Sequence, residues 1–183
     1  MYQARGTFDV DACYPFAAFT EIKADATADL SGRSAMKIAI GCDEAAYELK
    51  ELLRTFIADL GHEVKDFGTF DAAPVLYPDI GHDVATAVAA GDYDRAVLLC
   101  GTGIGMAITA NKTKGIRAAQ CHDTYSAERA RMSNDAQIVT MGARVIGSEL
   151  AKSIVRVFLS SEYHGGRSAP KVDRIKEYEN GRV

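Results

Sequence analysis

A three-layer α/β fold, Rossmann-like and built on a five-stranded, mostly parallel sheet, is predicted by two features of the chain. From Lys37 onward short apolar runs alternate with helical patterns, as stacked strand-helix units require. The third run, Arg95 to Cys100, is apolar at consecutive positions, which suits a strand buried on both faces. It leads directly into glycines.

The elements follow in order. Lys37 to Cys42 is the first strand, and the helix after it carries Leu49, Leu52, Leu53, Phe56, Ile57 and Leu60 at helical spacing before stopping at Gly61. Glu63 to Phe67 is the second strand. A loop from Gly68 to Pro78 leads to a helix through Val84, Ala85, Ala87 and Val88, then to the third strand and a helix behind its glycines. Arg117 to Cys121, a polar helix around Ser126 to Arg131, Gln137 to Met141 and a long helix from Ser148 to Leu159 complete the sheet. Val172 to Tyr178 predicts a charged terminal helix.

Residues 1–35 carry aromatics without helical or alternating period and are expected to be a poorly ordered extension, or an arm on a neighbouring subunit. Residues 36–183 are expected to form the functional domain, and Met36-Lys37-Ile38-Ala39-Ile40 reads like the beginning of a protein.

Composition narrows the function. The chain of 183 residues is 48% apolar and 25% charged, with a net charge of -4, so neither nucleic acid nor an anionic membrane is expected as partner. No apolar run approaches the roughly 20 residues that span a bilayer, and the early acidic residues Asp9 and Asp11 do not suit a signal peptide. A soluble, cytoplasmic protein is expected. The four cysteines, Cys13, Cys42, Cys100 and Cys121, show no C-x-x-C pairing and are expected as free thiols.

In an open parallel sheet, ligands bind beyond the carboxyl ends of the strands. Four such ends carry reactive or polar groups: Cys42-Asp43-Glu44, Cys100-Gly101-Thr102-Gly103-Ile104-Gly105, Cys121-His122-Asp123-Thr124 and Met141-Gly142-Ala143-Arg144. The alternating glycines free the backbone to turn its N–H groups toward one point, which favours an anion or a developing oxyanion. Met106 stands where a dinucleotide fingerprint would have its last glycine, and no Gly-Lys-Ser/Thr of a P-loop occurs. Cys100 lies at the base of this nest, where oriented N–H groups favour thiolate over thiol, so it can serve as nucleophile or proton-abstracting base. His122 is its candidate partner for acyl transfer. The four histidines lie far apart in sequence, and no metal is expected. Arg144, Arg167 and Lys171 are cations that suit a phosphate beside the nest.

These residues resemble the family of ribose-5-phosphate isomerase B and the galactose-6-phosphate isomerase subunits. The resemblance runs from Met36 to about Tyr178, through Cys42-Asp43, Tyr77-Pro78-Asp79, Leu99 to Met106, Ala110-Asn111-Lys112, Gly115 to Ala119, His122 to Ser126, Asn134-Asp135-Ala136, Gly142 to Gly147, and Gly165-Gly166-Arg167. It implies a cofactor-free aldose-ketose isomerase that works through an enediol. Cys100 would be the base, the Gly101 to Gly105 amides with Ile104 between them would hold the enediolate oxygen, and Thr102 would relay hydroxyl protons. Asp43 would hold substrate hydroxyls, with Tyr77, His122 and Asn134 around the pocket. Arg144, with Arg167 and Lys171 from a second subunit, would clamp the phosphate, so a homodimer or tetramer sharing its sites is implied. Lys171 stands where the family commonly has arginine, which keeps the charge but loses the bidentate fork.

Two departures bear on the substrate. The family usually reads Asp-His after the first strand, where this chain has Asp43-Glu44, and His-Asn-Asp before the fifth, where it has Ser133-Asn134-Asp135. The second of those histidines is the one associated with opening a furanose ring, and Ser133 cannot replace an imidazole in acid-base work. A tetrose phosphorylated at O4 has no free hydroxyl with which to close a furanose. The favoured expectation is therefore interconversion of an erythrulose 4-phosphate and an erythrose 4-phosphate, with Glu44 on a hydroxyl or paired with an arginine. The alternative is ribose 5-phosphate, with spontaneous ring opening or His122 compensating. From other classes come a non-catalytic sugar-phosphate-binding module and redox sensing through Cys100.

Overall fold

The computed structural model describes residues 35–182, so the extension expected over residues 1–35 lies outside them except for Ala35. The chain's most apolar runs become the centre of one parallel sheet. In β1 (Lys37–Cys42), β3 (Arg95–Cys100) and β5 (Ile138–Gly142) every residue but Lys37 is buried. The shorter strands β2 (Glu63–Asp66) and β4 (Ala118–Gln120) form the edges, giving the order β2-β1-β3-β5-β4 with every pair parallel. The expected five-stranded α/β sheet is thus present, and it is parallel throughout.

Side chains alternate across the central strands and bury two separate apolar layers. Ile38, Ile40, Val97, Leu99, Val139 and Met141 pack with α1 (Tyr47–Asp59), α4 (Thr124–Asn134) and α5 (Ser148–Ser160). Ala39, Ala96, Leu98, Cys100 and Ile138 face α2 (Tyr77–Ala90) and α3 (Ile104–Ala110). A last helix, α6 (Ala169–Glu179), follows a short 3-10 turn at Gly166–Ser168.

β2 ends one residue early, at Asp66, β5 starts one residue late, at Ile138, and α6 extends beyond Val172 to Tyr178 at both ends; three further boundaries differ from expectation. The helix after the long loop begins at Tyr77 with Pro78 inside its first turn, where the missing N–H has no intrahelical partner to lose. β4 is shorter than Arg117 to Cys121; at its start the Arg117 N–H is donated to the Gln137 side chain at 2.9 Å rather than to a strand carbonyl, and the Arg117 guanidinium binds Asp135 and the Asn134 carbonyl. β5 runs one residue further, to Gly142, which is in register with Cys100.

Two buried cations tie the layers. Arg95, at the start of β3, donates to the carbonyls of Phe158 and Leu159 at 2.7 and 2.8 Å and so satisfies the end of α5. Lys50 on α1 is fully buried; its ammonium binds the Asp66 carboxylate, the Thr69 carbonyl at 2.7 Å and Glu51 at 2.9 Å. It thereby holds the end of β2 and the chain beyond it against α1. Removing one partner of a buried ionic cluster leaves the others desolvated and unpaired. Lys50→Ala is expected to lower the free energy of unfolding by about 3 kcal/mol or more. Urea denaturation checks this, and a shift of the midpoint too small to register would show that the cluster carries no such weight.

Candidate active site

The helices that follow β1 and β3 leave to opposite faces of the sheet, although the two strands are neighbours. Such a divergence opens a crevice at the carboxyl ends. Asp43 begins one side of it and Cys100 the other, joined by the Asp43 N–H donated to the Leu99 carbonyl at 3.2 Å. The Asp43 carboxylate accepts from Ala45 N–H at 3.0 Å and from the Gly101 N–H. Burial, and then the negative charge of Glu44, push its pKa above the ordinary carboxylate value.

Cys100 is 5% exposed and points to the α2 and α3 side, beneath the glycine loop. The Gly103 N–H is donated to its sulfur at 3.0 Å. That contact needs glycine at 103: φ is +79°, and a Cβ there would stand 2.8 Å from the Met141 carbonyl carbon. Thr140, buried in β5, donates its hydroxyl to the Gly103 carbonyl at 2.8 Å, and Gln120 holds the Thr102 carbonyl at 2.7 Å. The Thr102 hydroxyl accepts from Ile104 N–H at 3.3 Å, which leaves its own proton to donate outward. Gly105 lies against the Tyr77 ring so closely that a Cβ would meet it at 2.6 Å. Arg144 lies along Gly101, and no ion pair engages it among the described residues.

The other expected residues sit differently. His122 accepts the Gly142 N–H on Nε2 at 3.0 Å, so that nitrogen is occupied. Glu44 accepts the Val75 N–H at 3.3 Å and forms no ion pair with arginine among the described residues. Ser133 and Asn134 end α4, which starts at the carboxyl edge and descends 11 residues, about 16 Å, to the amino edge. There the Asn134 carbonyl accepts from Arg117. Arg167 and Lys171 follow α5, whose end is likewise held at the amino edge by Arg95. Both are exposed, and neither is in an ion pair among the described residues. One chain therefore assembles Cys100, Thr102, Asp43, Tyr77, Arg144 and the glycine loop, while Ser133 and Asn134 end at the other edge of the sheet.

Sequence reasoning passed over Gln120 and Thr140, the two side chains that hold the loop's carbonyls. Thr140 had a signal, as a hydroxyl inside the apolar run Ile138 to Met141; Gln120 had none. Among the described residues no group of three or more His, Cys, Asp or Glu could hold a metal ion, and no helix is long and apolar enough to cross a membrane.

A family model described as Ribose/Galactose Isomerase matches residues 38–175. The chain belongs to this family. It is 61% identical to the Ribose-5-P isomerase B of Listeria innocua, over 78% of this chain and 96% of that one. It is 52% identical to the D-erythrulose-4-phosphate isomerase of Pectobacterium atrosepticum, over 79% and 96%. The structure of Clostridium thermocellum Ribose-5-Phosphate Isomerase B superposes with a TM-score of 0.78 at 48% identity, covering 79% of this chain and 98% of that one. The chain is a sugar-phosphate isomerase of the ribose-5-phosphate isomerase B type, an aldose-ketose isomerase.

Two of the thiols are set aside by burial. Burial pushes Cys42 up to about 12 and Cys121 up to about 11, so both are protonated at neutral pH. In the native protein an alkylating reagent at neutral pH is expected to label Cys100 and spare Cys42 and Cys121, with a sugar phosphate slowing the reaction. Peptide mass mapping checks this; equal labelling of the three would contradict the site.

Proposed function

We propose that the chain interconverts an erythrulose 4-phosphate and an erythrose 4-phosphate in the crevice between β1 and β3. The Cys100 thiolate takes the proton from the carbon beside the carbonyl, and the electron pair moves onto the carbonyl oxygen as an enediolate. Backbone N–H groups of the Gly101 to Gly105 loop hold that oxygen. Thr102 passes the hydroxyl proton, and the thiol returns its proton to the neighbouring carbon. Asp43 binds hydroxyls, and Arg144 binds the phosphate. No step calls for a cofactor.

The observation that carries the tetrose is that, among the described residues, neither position 133 nor His122 Nε2 offers a free imidazole nitrogen for ring opening. Ser133 occupies the position associated with that task, and the strand-end histidine, His122, has Nε2 engaged by Gly142. The Pectobacterium atrosepticum relative, named for erythrulose 4-phosphate, supports the same choice. The second reading is ribose 5-phosphate, favoured by the name of the Listeria innocua relative at 61% identity. A binding module without turnover is disfavoured by the donor aimed at the Cys100 sulfur.

The active site is completed in this proposal by a second copy of the chain. Ser133 and Asn134 lie at the amino edge, and a twofold pair would bring that edge of one copy, with Arg167 and Lys171, over the crevice of the other. Exposed apolar side chains on α3 (Ile104, Ile108) and α6 (Ile175, Tyr178) suit the covered surface. The localisation that fits this metabolic role is the cytoplasm.

Proton NMR of the enzyme with D-erythrose 4-phosphate and ribose 5-phosphate in parallel is expected to show faster tetrose conversion, and none with Cys100→Ser. Faster ribose conversion would establish the second reading instead. The shared site has its own check. Mixing inactive Cys100→Ser with inactive Asn134→Ala under subunit exchange is expected to restore roughly a quarter of wild-type activity, because each mixed dimer holds one intact site. No recovery would mean that each site belongs to one chain.

A further inference from the structure

The loop from Phe67 to Leu76 joins β2 to α2 and runs along the crevice from Asp43 to the glycine nest. Its first part is fixed to the end of β1: Cys42 N–H is donated to the Gly68 carbonyl at 2.7 Å, and Thr69 N–H to the Cys42 carbonyl at 2.8 Å. Beneath it lies the buried Lys50 ammonium on the Thr69 carbonyl. Its far end passes into Tyr77, whose ring lies on Gly105. Between those ends, Phe70 and Leu76 are 70% and 74% exposed, so apolar burial does not hold the loop. Among the described residues, the other hydrogen bonds of residues 71–76 stay within the loop and the first turn of α2. The tie from this part of the loop to the strand end is the Val75 N–H donated to the Glu44 carboxylate at 3.3 Å.

We propose that Glu44 is a specificity-determining positioning residue, which holds Val75 so that the 67–76 loop becomes a fixed wall limiting how long a sugar phosphate can lie beyond Asp43. It acts through the loop and not on the substrate. This deepens the reading of the crevice as a sugar-phosphate site and rests on it. A short phosphorylated sugar leaves no room to be gained by moving the wall, whereas a longer one needs the loop displaced. Loss of the tie therefore favours the longer substrate relative to the shorter.

The test uses the full-length enzyme, with Glu44→Ala and Glu44→Gln. Val75 amide exchange is read by NMR, and kcat and KM are measured for erythrose 4-phosphate and ribose 5-phosphate. Loss of one hydrogen bond is expected to speed Val75 exchange about fivefold in Glu44→Ala. The ratio of kcat/KM for tetrose over pentose is expected to fall by about threefold or more, chiefly through KM. Glu44→Gln keeps an acceptor oxygen and is expected to restore both. Unchanged Val75 exchange in Glu44→Ala, or faster exchange with an unchanged ratio, overturns the wall. So does a Glu44→Gln enzyme with Val75 protected but the ratio shifted, since the carboxylate would then touch substrate. A wild-type preference for ribose 5-phosphate overturns the tetrose reading alone, and the wall still stands or falls on whether the ratio moves with exchange.

Discussion

The whole crevice depends on how closely the glycine loop can approach β5. Gly103 N–H reaches the Cys100 sulfur at 3.0 Å because residue 103 has a positive φ and no side chain between it and the Met141 backbone. Thr140 then takes the Gly103 carbonyl from below, and Gln120 takes the carbonyl of Thr102 from the neighbouring edge strand. With those carbonyls held on the sheet side, the loop's N–H groups turn inward: Gly101 to the Asp43 carboxylate, Gly103 to the Cys100 sulfur and Ile104 to the Thr102 hydroxyl. A proton-transfer enzyme needs such preorganisation, since donors that are already placed do not have to reorganise when charge develops.

Around that loop the protein uses burial to sort like groups into different tasks. Cys42 and Cys100 end adjacent strands, yet burial pushes Cys42 up to about 12 and gives it to the core, while Cys100 receives a backbone donor. Asp43 and Glu44 are consecutive carboxylates that also separate. Asp43 accepts the N–H groups of Ala45 and Gly101 in the crevice, and Glu44 reaches over to Val75. Lys50 supports this division from beneath, because its ammonium fixes the chain that follows β2 to the same strand end.

The sheet's direction has a further consequence. Helices that follow strands carry their last residues back to the amino edge, so the α4 residues Ser133 and Asn134 are about 16 Å from where that helix began. The segment that carries the cations Arg167 and Lys171 follows α5, whose end Arg95 holds at the same edge. Residues that the family resemblance places in one pocket are thus distributed over both edges of one chain. In the proposed function a symmetric pair of chains reunites them.

Much of the fold was legible in the sequence because its signals are local. The spans of β1 and β3 were read from their apolar runs without error, and α1 from its leucine spacing; β4 and the start of α2 were misjudged where Arg117 and Pro78 answered to neighbours rather than to periodicity. The sequence by itself also determined the chemistry on offer: a cysteine under alternating glycines, an aspartate at the next strand end, an arginine after the last strand. Tertiary structure decided which of these groups meet. It placed Gln120 and Thr140 under the loop, turned His122 to Gly142 and Glu44 to Val75, and put Ser133 and Asn134 at the far edge. The physical reason is that periodicity and turn chemistry act over a few residues. A hydrogen bond between residues 44 and 75, or 103 and 140, exists only after the strands have paired.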